Sequence, residues 1–219
     1  SNGGILSNSF FTGAINYRNS LDASGNNVLS GAISGSYSNR MLDLENATFQ
    51  SQFGSFGFMQ TASNYDPVSS FNLNNKYFDV NAGISYAHKG DKVDYEIGGA
   101  LFHASTPKEG IFNNSKYNMD PRGVFNGSLK WRPTGKGEWD FAGNYQRQAK
   151  KQLVTIGASY AMYLSDSAGQ KVIIGLYHRL KESFYPYIGI QSNDLKFGVS
   201  YDVITGPAKT SFNSVQSVE

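Results

Sequence analysis

The sequence predicts an all-β protein, an antiparallel up-and-down transmembrane β-barrel, on three observations. Apolar residues alternate with small or polar residues along most of the 219-residue chain, and this period of two is typical of strands with one apolar face. Charged residues make up only 16% of the chain and aromatic residues 14%, which disfavours a helical bundle because bundles need Leu, Ala, Glu and Lys. Short polar turns separate the alternating segments, which favours antiparallel neighbours in a meander.

The alternation indicates about ten strands, each of roughly 8 to 12 residues. Turn-forming residues lie between many of them, for example at 22–26, 88–91, 133–137, 165–169 and 193–194. In chain order, the clearest alternating segments are 11–18, 29–40, 77–86, 93–101, 125–131, 139–145, 154–162, 172–176 and 195–203.

Two all-β architectures fit this pattern, a soluble sandwich and a membrane barrel. A sandwich exposes Lys, Glu and Thr on its polar face, whereas here that face carries mostly Ser, Gly, Asn and Ala with single charges. Small polar residues with sparse charges suit the lumen of a barrel. Aromatic residues also bracket the apolar stretches, as membrane interfaces require. The barrel is therefore favoured, and its apolar residues are expected to face lipid: Ile15, Ile33, Ile84, Ile97, Leu129, Ile156 and Val199.

The polar positions of the strands carry charges that would point into the barrel lumen. Such charges are expected to pair across strands, because an unpaired buried charge is costly. A structural ion-pair network is favoured over a selectivity filter for a solute. The predicted lumen charges are Arg18, Arg40, Asp79, Glu96, Lys130, Arg179 and Asp202, together with Asp94, Asp140 and Lys196.

Catalytic and metal-binding patterns are lacking in the sequence. The three histidines, His88, His103 and His178, lie in separate segments without the spacing of a zinc site. There are no cysteines, which excludes disulfides and thiolate sites. The net charge of +2 is too small to indicate a nucleic-acid partner. We therefore expect no catalytic residues, no metal, no cofactor and no nucleic acid, with membrane lipid as the surroundings.

Two long connections, 43–75 and 105–122, are the candidates for partner binding. Barrels of the outer membrane place long loops outside and short turns in the periplasm, and both connections follow an even-numbered strand, so both are expected on one side. Aromatic residues and Met among Asn, Ser and Gly suit a protein-binding surface. The alternative, that they pack inward and plug the lumen, stays open. The residues concerned are Phe53, Phe56, Phe58, Met59, Tyr65, Phe112, Tyr117 and Met119.

Several stretches resemble one known family when their order and spacing are taken together. They read RMLDLENATFQSQF at 40–53, NKYFDVNAG at 75–83, YQRQ at 145–148, YPYIG at 185–189 and FGVSYDV at 197–203. This arrangement resembles the PorP/SprF family of type IX secretion outer-membrane proteins. One departure is Tyr177-His178-Arg179, where the family tends to have two aromatic residues before the arginine.

The resemblance implies a non-enzymatic protein of the outer membrane. Family members are similar to accessory barrels that help to export, or to anchor at the cell surface, cargo with a C-terminal sorting domain, such as the adhesins of gliding motility. They also contact periplasmic components of the secretion machine. The resemblance further implies that residues 1–219 are one domain, the middle and C-terminal part of a longer barrel. A passive porin or solute channel is the main alternative function, and a soluble lectin-like sandwich is a more distant one.

Overall fold

A computed structural model describes residues 6–42, 53–54, 57–58, 74–108, 118–165, 169–206 and 217–218. These residues form ten long strands and three strands of two residues. None of the described residues belongs to a helix that could span a membrane. The strands are β1 (Leu6–Ser20), β2 (Asn27–Leu42), β3 (Phe53–Gly54), β4 (Gly57–Phe58), β5 (Asn74–Lys89), β6 (Val93–Phe102), β7 (Arg122–Thr134), β8 (Gly137–Gln148), β9 (Lys151–Ser165), β10 (Gln170–Arg179), β11 (Ser183–Ser192), β12 (Leu195–Ile204) and β13 (Ser217–Val218).

The long strands form one sheet in which chain neighbours are also sheet neighbours. The order is β1-β2-β5-β6-β7-β8-β9-β10-β11-β12-β13, while β3 and β4 pair only with each other as a small hairpin. The registers recorded from β5 to β13 are all antiparallel. Each strand therefore returns beside its predecessor, which is the connectivity of an up-and-down β-barrel. The predicted fold class is confirmed.

The chain divides into two compact units. The first consists of Ser1–Ile15, Ile33–Asn81 and His103–Pro121, and it includes both long connections. The second consists of Asn16–Ala32, Ala82–Phe102 and Arg122–Glu219, and it includes β6 to β13. The interpretation of the chain as a single domain stays a prediction.

Side chains alternate between two faces of the sheet, which we call the apolar face and the polar face. The registers place Ile97 opposite Gly127, Gly127 opposite Gly143, and Gly143 opposite Ile156, so the apolar positions of β6 to β9 share a face. Residues of the apolar face are solvent-exposed, and Ile84 for example is 60% exposed. The set predicted to face lipid is exposed throughout: Ile15, Ile33, Ile84, Ile97, Leu129, Ile156 and Val199.

The protein lacks the buried core of a soluble sandwich in the part that the structure describes. There, the buried apolar residues are only Val28, Ala161 and Ile173. A sandwich buries one face of every strand against a second sheet, whereas here large apolar side chains stand exposed on the apolar face along all ten long strands. Contiguous exposed apolar surface of this extent marks contact with a partner or a membrane.

Two features of the sheet differ from the pattern predicted by alternation. Five of the ten long strands, β1, β2, β5, β7 and β9, have 13 to 16 residues, more than the predicted 8 to 12 or so. The alternation does not predict β11, because Phe184 and Tyr185 place aromatic residues on both faces and Pro186 follows them. Proline has no N–H to donate, and the β11–β12 ladder has a gap between the pairs Phe184↔Val203 and Tyr187↔Ser200.

The turn between β1 and β2 is organised around one carboxylate. Asp22 accepts hydrogen bonds from the backbone N–H of Asn27 at 3.0 Å, from the Ser24 hydroxyl at 2.8 Å and from the Asn27 side-chain amide at 2.9 Å. These bonds favour the ionised carboxylate, the backbone bond from Asn27 most strongly, and they lower the pKa of Asp22 from 3.8 to about 2.

The lowered pKa of Asp22 predicts a pH-dependent turn. A pKa below its unfolded value means that the hydrogen bonds stabilise the turn above pH 3.8, and that this stabilisation is lost as the pH falls from 3.8 to about 2. We expect the exchange protection factor of the Asn27 amide to be constant at neutral pH and to fall below pH 3.8. In the Asp22→Asn variant the acid transition should vanish. An unchanged transition in that variant would assign it to another group.

Candidate functional site

The candidate site lies on the polar face, where charges of opposite sign face each other across neighbouring strands. Lys130 of β7 is the register partner of Asp94 on β6 and of Asp140 on β8. The Lys130 ammonium lies 3.7 Å from the Asp140 carboxylate. Cross-strand pairs of opposite charge stabilise a sheet, so the row Asp94, Lys130, Asp140 ties three strands together.

Glu138 is the centre of this polar cluster. It is the second residue of β8 and only 3% exposed. One carboxylate oxygen, Oε1, lies 2.7 Å from the ammonium of Lys171 and 3.7 Å from that of Lys130. The other, Oε2, accepts a hydrogen bond from the Tyr163 hydroxyl at 3.0 Å and lies 3.5 Å from Nε of Arg132. Both oxygens of a buried carboxylate are thus satisfied, as burial of a charge requires.

A β-bulge brings Arg132 into the cluster. Trp131 pairs with Trp139 and Thr134 pairs with Gly137, so Arg132 and Pro133 together oppose Glu138 alone. A bulge of this kind re-aims a side chain. The guanidinium of Arg132 also pairs with Asp94 in a two-pronged contact, with Nη1 at 3.2 Å from Oδ1 and a second, close contact from Nη2 to Oδ2. Bidentate pairs of this type are the strong form of the interaction.

The polar cluster is balanced in charge. Three cations, Lys130, Arg132 and Lys171, are matched by three carboxylates, Asp94, Glu138 and Asp140. Every carboxylate of the cluster has a cation within 4.0 Å. This arrangement favours a structural role for the cluster, that of joining β6 to β10.

A cavity of about 320 Å³ adjoins the cluster on the polar face. Tyrosine and glycine shape it: the Tyr177 ring occupies the space where a Cβ on Gly157 would stand, and the Tyr187 ring does the same for Gly198. Only glycine permits so close an approach of ring to backbone. The residues that line the cavity are Lys130, Glu138, Asp140, Ser159, Ala161, Lys171, Ile173, Tyr177, Tyr187, Gln191 and Lys196.

The predicted lumen charges outside the cluster fall into two groups. Asp79 is buried and lies 2.9 Å from Nδ1 of His103, and Arg179 lies 3.7 Å from Glu182 and 4.0 Å from Asp202. Arg18 and Glu96 form the second group, because both are exposed and neither forms an ion pair with a described residue. Arg40 is half-buried and has an interaction partner, so it does not belong to this second group. Exposed charges remain hydrated and need no partner.

Only part of the predicted partner-binding surface falls within the described residues. Phe53 begins the β3–β4 hairpin and is 59% exposed, and its register partner is Phe58. Met119 is half-buried, and its backbone N–H donates to the Pro107 carbonyl at 2.8 Å. The other five predicted residues lie outside the described residues: Phe56, Met59, Tyr65, Phe112 and Tyr117.

Each histidine has a structural partner. Nδ1 of His88 lies 2.7 Å from the Asn27 side-chain oxygen, and its ring stacks on Tyr95. His103 pairs with Asp79, and Nδ1 of His178 lies 3.1 Å from the Ser183 carbonyl. Among the residues that the structure describes, no group of three His, Asp or Glu side chains could hold a metal ion.

Reasoning from the sequence missed the centre of the cluster. The alternation predicts a turn at 133–137 and strands that begin near 139 and 172, so Arg132, Glu138 and Lys171 are not among the predicted lumen charges. In the structure β7 continues to Thr134 and β8 begins at Gly137. The signal was present in the alternation, since Arg132 shares its parity with Lys130, and Glu138 with Asp140.

Comparison with known proteins gives one family. The family model described as type IX secretion system membrane protein PorP/SprF matches residues 1–219. No match was found among curated proteins or among solved structures.

Proposed function

Because the chain belongs to the PorP/SprF family of type IX secretion system membrane proteins, we propose that it is an accessory β-barrel of the outer membrane. In this proposal it assists the export or the surface anchoring of cargo with a C-terminal sorting domain, such as adhesins, and contacts periplasmic components of the secretion machine. Its role is binding and positioning, with no catalytic step. The proposed secretion role rests on the family match, and the proposed membrane location rests on the exposed apolar face.

The two faces of the sheet support a barrel that crosses a lipid bilayer. The apolar face presents large side chains such as Phe125 and Ile174, both more than 60% exposed. On the polar face, the cations and carboxylates of the polar cluster are paired with each other across β6 to β10. Membrane barrels alternate in this way between lipid and lumen. An outward apolar face and an inward polar face therefore match what a membrane barrel requires.

The long connections support a partner-binding surface at one end of the strands. Residues 43–73 follow β2 and residues 103–121 follow β6. These two strands run in the same direction because two steps between antiparallel neighbours, β2 to β5 and β5 to β6, separate them. Functional residues are commonly carried by loops on a rigid scaffold. Outer-membrane barrels place their long loops outside the cell, where surface cargo would be held.

Shortening the first long connection tests the surface that it would form. We expect deletion of residues within 55–67 to leave an inserted barrel, because β1, β2 and β5 lie outside the deletion, and to reduce surface cargo severalfold through loss of its aromatic residues. The measurement is cell-surface labelling of the cargo, with heat-modifiable migration as the control for barrel folding.

A variant at the opposite ends of the strands is the matched control. Lys92→Gln, in the turn between β5 and β6, should leave cargo display unchanged. Normal display from a well-inserted loop variant would contradict the partner-surface proposal and favour the alternative in which the connection plugs the lumen.

A passive solute channel is the second candidate, favoured by the charged polar face and its cavity of about 320 Å³. The two functions differ in conductance and in bound proteins. An accessory barrel purified from outer membranes should bring secretion components and cargo with it and give no steady current in a planar bilayer. Steady ohmic conductance without co-purifying proteins would support the channel instead.

A further inference from the structure

We propose that the cavity of about 320 Å³ on the polar face binds a small sugar acid, that is, a hydroxylated ring that carries one carboxylate. Residues of β7 to β12 line the cavity, and all of them belong to the second compact unit. Its volume falls at the lower end of the range typical of small-molecule pockets, roughly 300–1,000 Å³. In the barrel of the proposed function this face is the lumen, but binding needs only β7 to β12 and not the secretion role.

The floor of the cavity is enclosed and carries a free hydroxyl. Two of the three buried apolar residues of the described protein, Ala161 and Ile173, line it. Ser159 also lines the cavity and is only 5% exposed, yet its hydroxyl forms no hydrogen bond with a described residue. A serine hydroxyl both donates and accepts hydrogen bonds, so this group is available to a hydroxyl of the ligand.

Tyr187 of β11 provides a flat aromatic surface in the cavity. Its ring occupies the space where a Cβ on Gly189 or Gly198 would stand, so one side of the ring lies against the backbone of β11 and β12. The same ring lines the cavity. The face of an aromatic ring carries partial negative charge and therefore attracts the polarised C–H groups of a sugar ring. Because the ring is already fixed against the backbone, little side-chain freedom is lost on binding.

Lys196 of β12 supplies a positive charge that no carboxylate matches. The registers pair Lys171 with Gln191 and Gln191 with Lys196, so these three side chains lie in one row across β10, β11 and β12. Lys171 is already engaged, because its ammonium lies 2.7 Å from the Glu138 carboxylate. Lys196 is exposed and forms no ion pair with a described residue, and its ammonium lies 5.7 Å from the centre of the Tyr187 ring. A carboxylate of the ligand can therefore pair with Lys196 beside the aromatic surface.

The balance of charge in the cavity favours a ligand with a single negative charge. The lining side chains carry one more positive than negative charge: Lys130, Lys171 and Lys196 against Glu138 and Asp140. One carboxylate neutralises this excess, whereas a phosphate monoester brings about 1.5 to 2 negative charges at neutral pH. The side chains of Lys130 and Asp140 are 36% and 37% exposed, so an ammonium donor and a carboxylate acceptor remain accessible to the hydroxyl groups of a sugar.

Saturation-transfer NMR of the purified protein in detergent micelles tests the proposal, with glucuronate and galacturonate as the probes. We expect the parent protein to bind at least one of them at least roughly tenfold more tightly than it binds glucose, which lacks the carboxylate, or acetate, which lacks the ring. Lys196→Gln should weaken this binding at least roughly tenfold and leave the fold intact, because Lys196 is exposed. The matched control is Lys89→Gln, an exposed lysine of the polar face outside the cavity, which should retain the parent affinity.

A second variant, Ser159→Ala, separates binding from folding. Alanine removes a hydroxyl that has no described partner and keeps the packing of the floor. We therefore expect unchanged resistance to urea together with severalfold weaker binding of the sugar acid.

Three results would overturn the assignment. These are no binding of either sugar acid to the parent protein, parent-like affinity in a folded Lys196→Gln variant, and binding of glucose, acetate or inorganic phosphate as tight as that of the sugar acids. Sugar-acid binding and cargo display are separate readouts. Loss of binding with normal cargo display in Lys196→Gln supports the ligand site and leaves the secretion role standing, whereas failure of the parent protein to bind removes the ligand site alone.

Discussion

Replacing Glu138 with glutamine is expected to lower the free energy of unfolding by about 3–5 kcal/mol, the cost of removing one partner from a buried charge network. Glu138 is 3% exposed and lies within 4.0 Å of Lys130, Arg132 and Lys171. Glutamine keeps the shape but removes the charge, which leaves Lys171 without a described carboxylate within 4.0 Å, while Lys130 and Arg132 keep Asp140 and Asp94. The measurement is urea-induced unfolding of the refolded barrel, followed by tryptophan fluorescence.

Two further variants separate the effect of burial from the effect of charge. Glu182→Gln removes a carboxylate whose side chain is 56% exposed and lies 3.7 Å from Arg179, so its cost should stay below about 1 kcal/mol. The double variant Glu138→Gln, Lys171→Met should recover part of the loss, because it removes an unpaired cation together with its partner. Equal stability of Glu138→Gln and Glu182→Gln would contradict the central role of Glu138.

Arginine on the apolar face is expected to be the second most damaging change. Ile84→Arg should destabilise the inserted barrel by about 2–4 kcal/mol, the cost of a charge at the bilayer midplane. Ser128→Arg is the matched control, because Ser128 is also exposed but lies on the polar face opposite Glu96, where an arginine gains a cross-strand partner. Both variants are measured by unfolding from lipid vesicles.

The comparison of these two variants distinguishes lipid from water as the surroundings of the apolar face. A similar small effect of both substitutions would show that Ile84 faces water and would contradict the membrane assignment. A large effect of Ser128→Arg alone would show that the faces are reversed.

The sequence predicted the fold well, because alternation along one strand is a local property. The β5, β6 and β12 segments are recognisable from residues such as Ile84, Ile97 and Val199, whose side chains share one face whatever the neighbouring strand is. The strand β11 could not be predicted in this way, because Pro186 and the tyrosines on either side of it interrupt the alternation of apolar and polar residues. A proline within a strand becomes interpretable only when the gap that it leaves in the β11–β12 ladder is seen.

The polar cluster was less predictable, because it depends on register. Lys130 and Asp140 could be placed on one face from the sequence, but their pairing follows from the turn length between β7 and β8. The bulge that places Arg132 and Pro133 opposite Glu138 adds one residue to β7. No local sequence pattern predicts the position of this bulge. The contact of Glu138 with Lys171 joins β8 to β10 across β9, which sequence spacing alone does not reveal.

Single-cysteine scanning of β7 tests most directly whether the apolar face meets lipid. The chain has no cysteine, so each variant carries one labelling site, and four exposed residues of β7 supply two positions on each face: Phe125 and Leu129 on the apolar face, Asn126 and Ser128 on the polar face. With a fluorescent label on each cysteine in vesicles, the account predicts that a lipid-soluble quencher acts on Phe125→Cys and Leu129→Cys but not on Asn126→Cys and Ser128→Cys. Quenching of all four labels by a water-soluble quencher, with none by the lipid-soluble one, would contradict it.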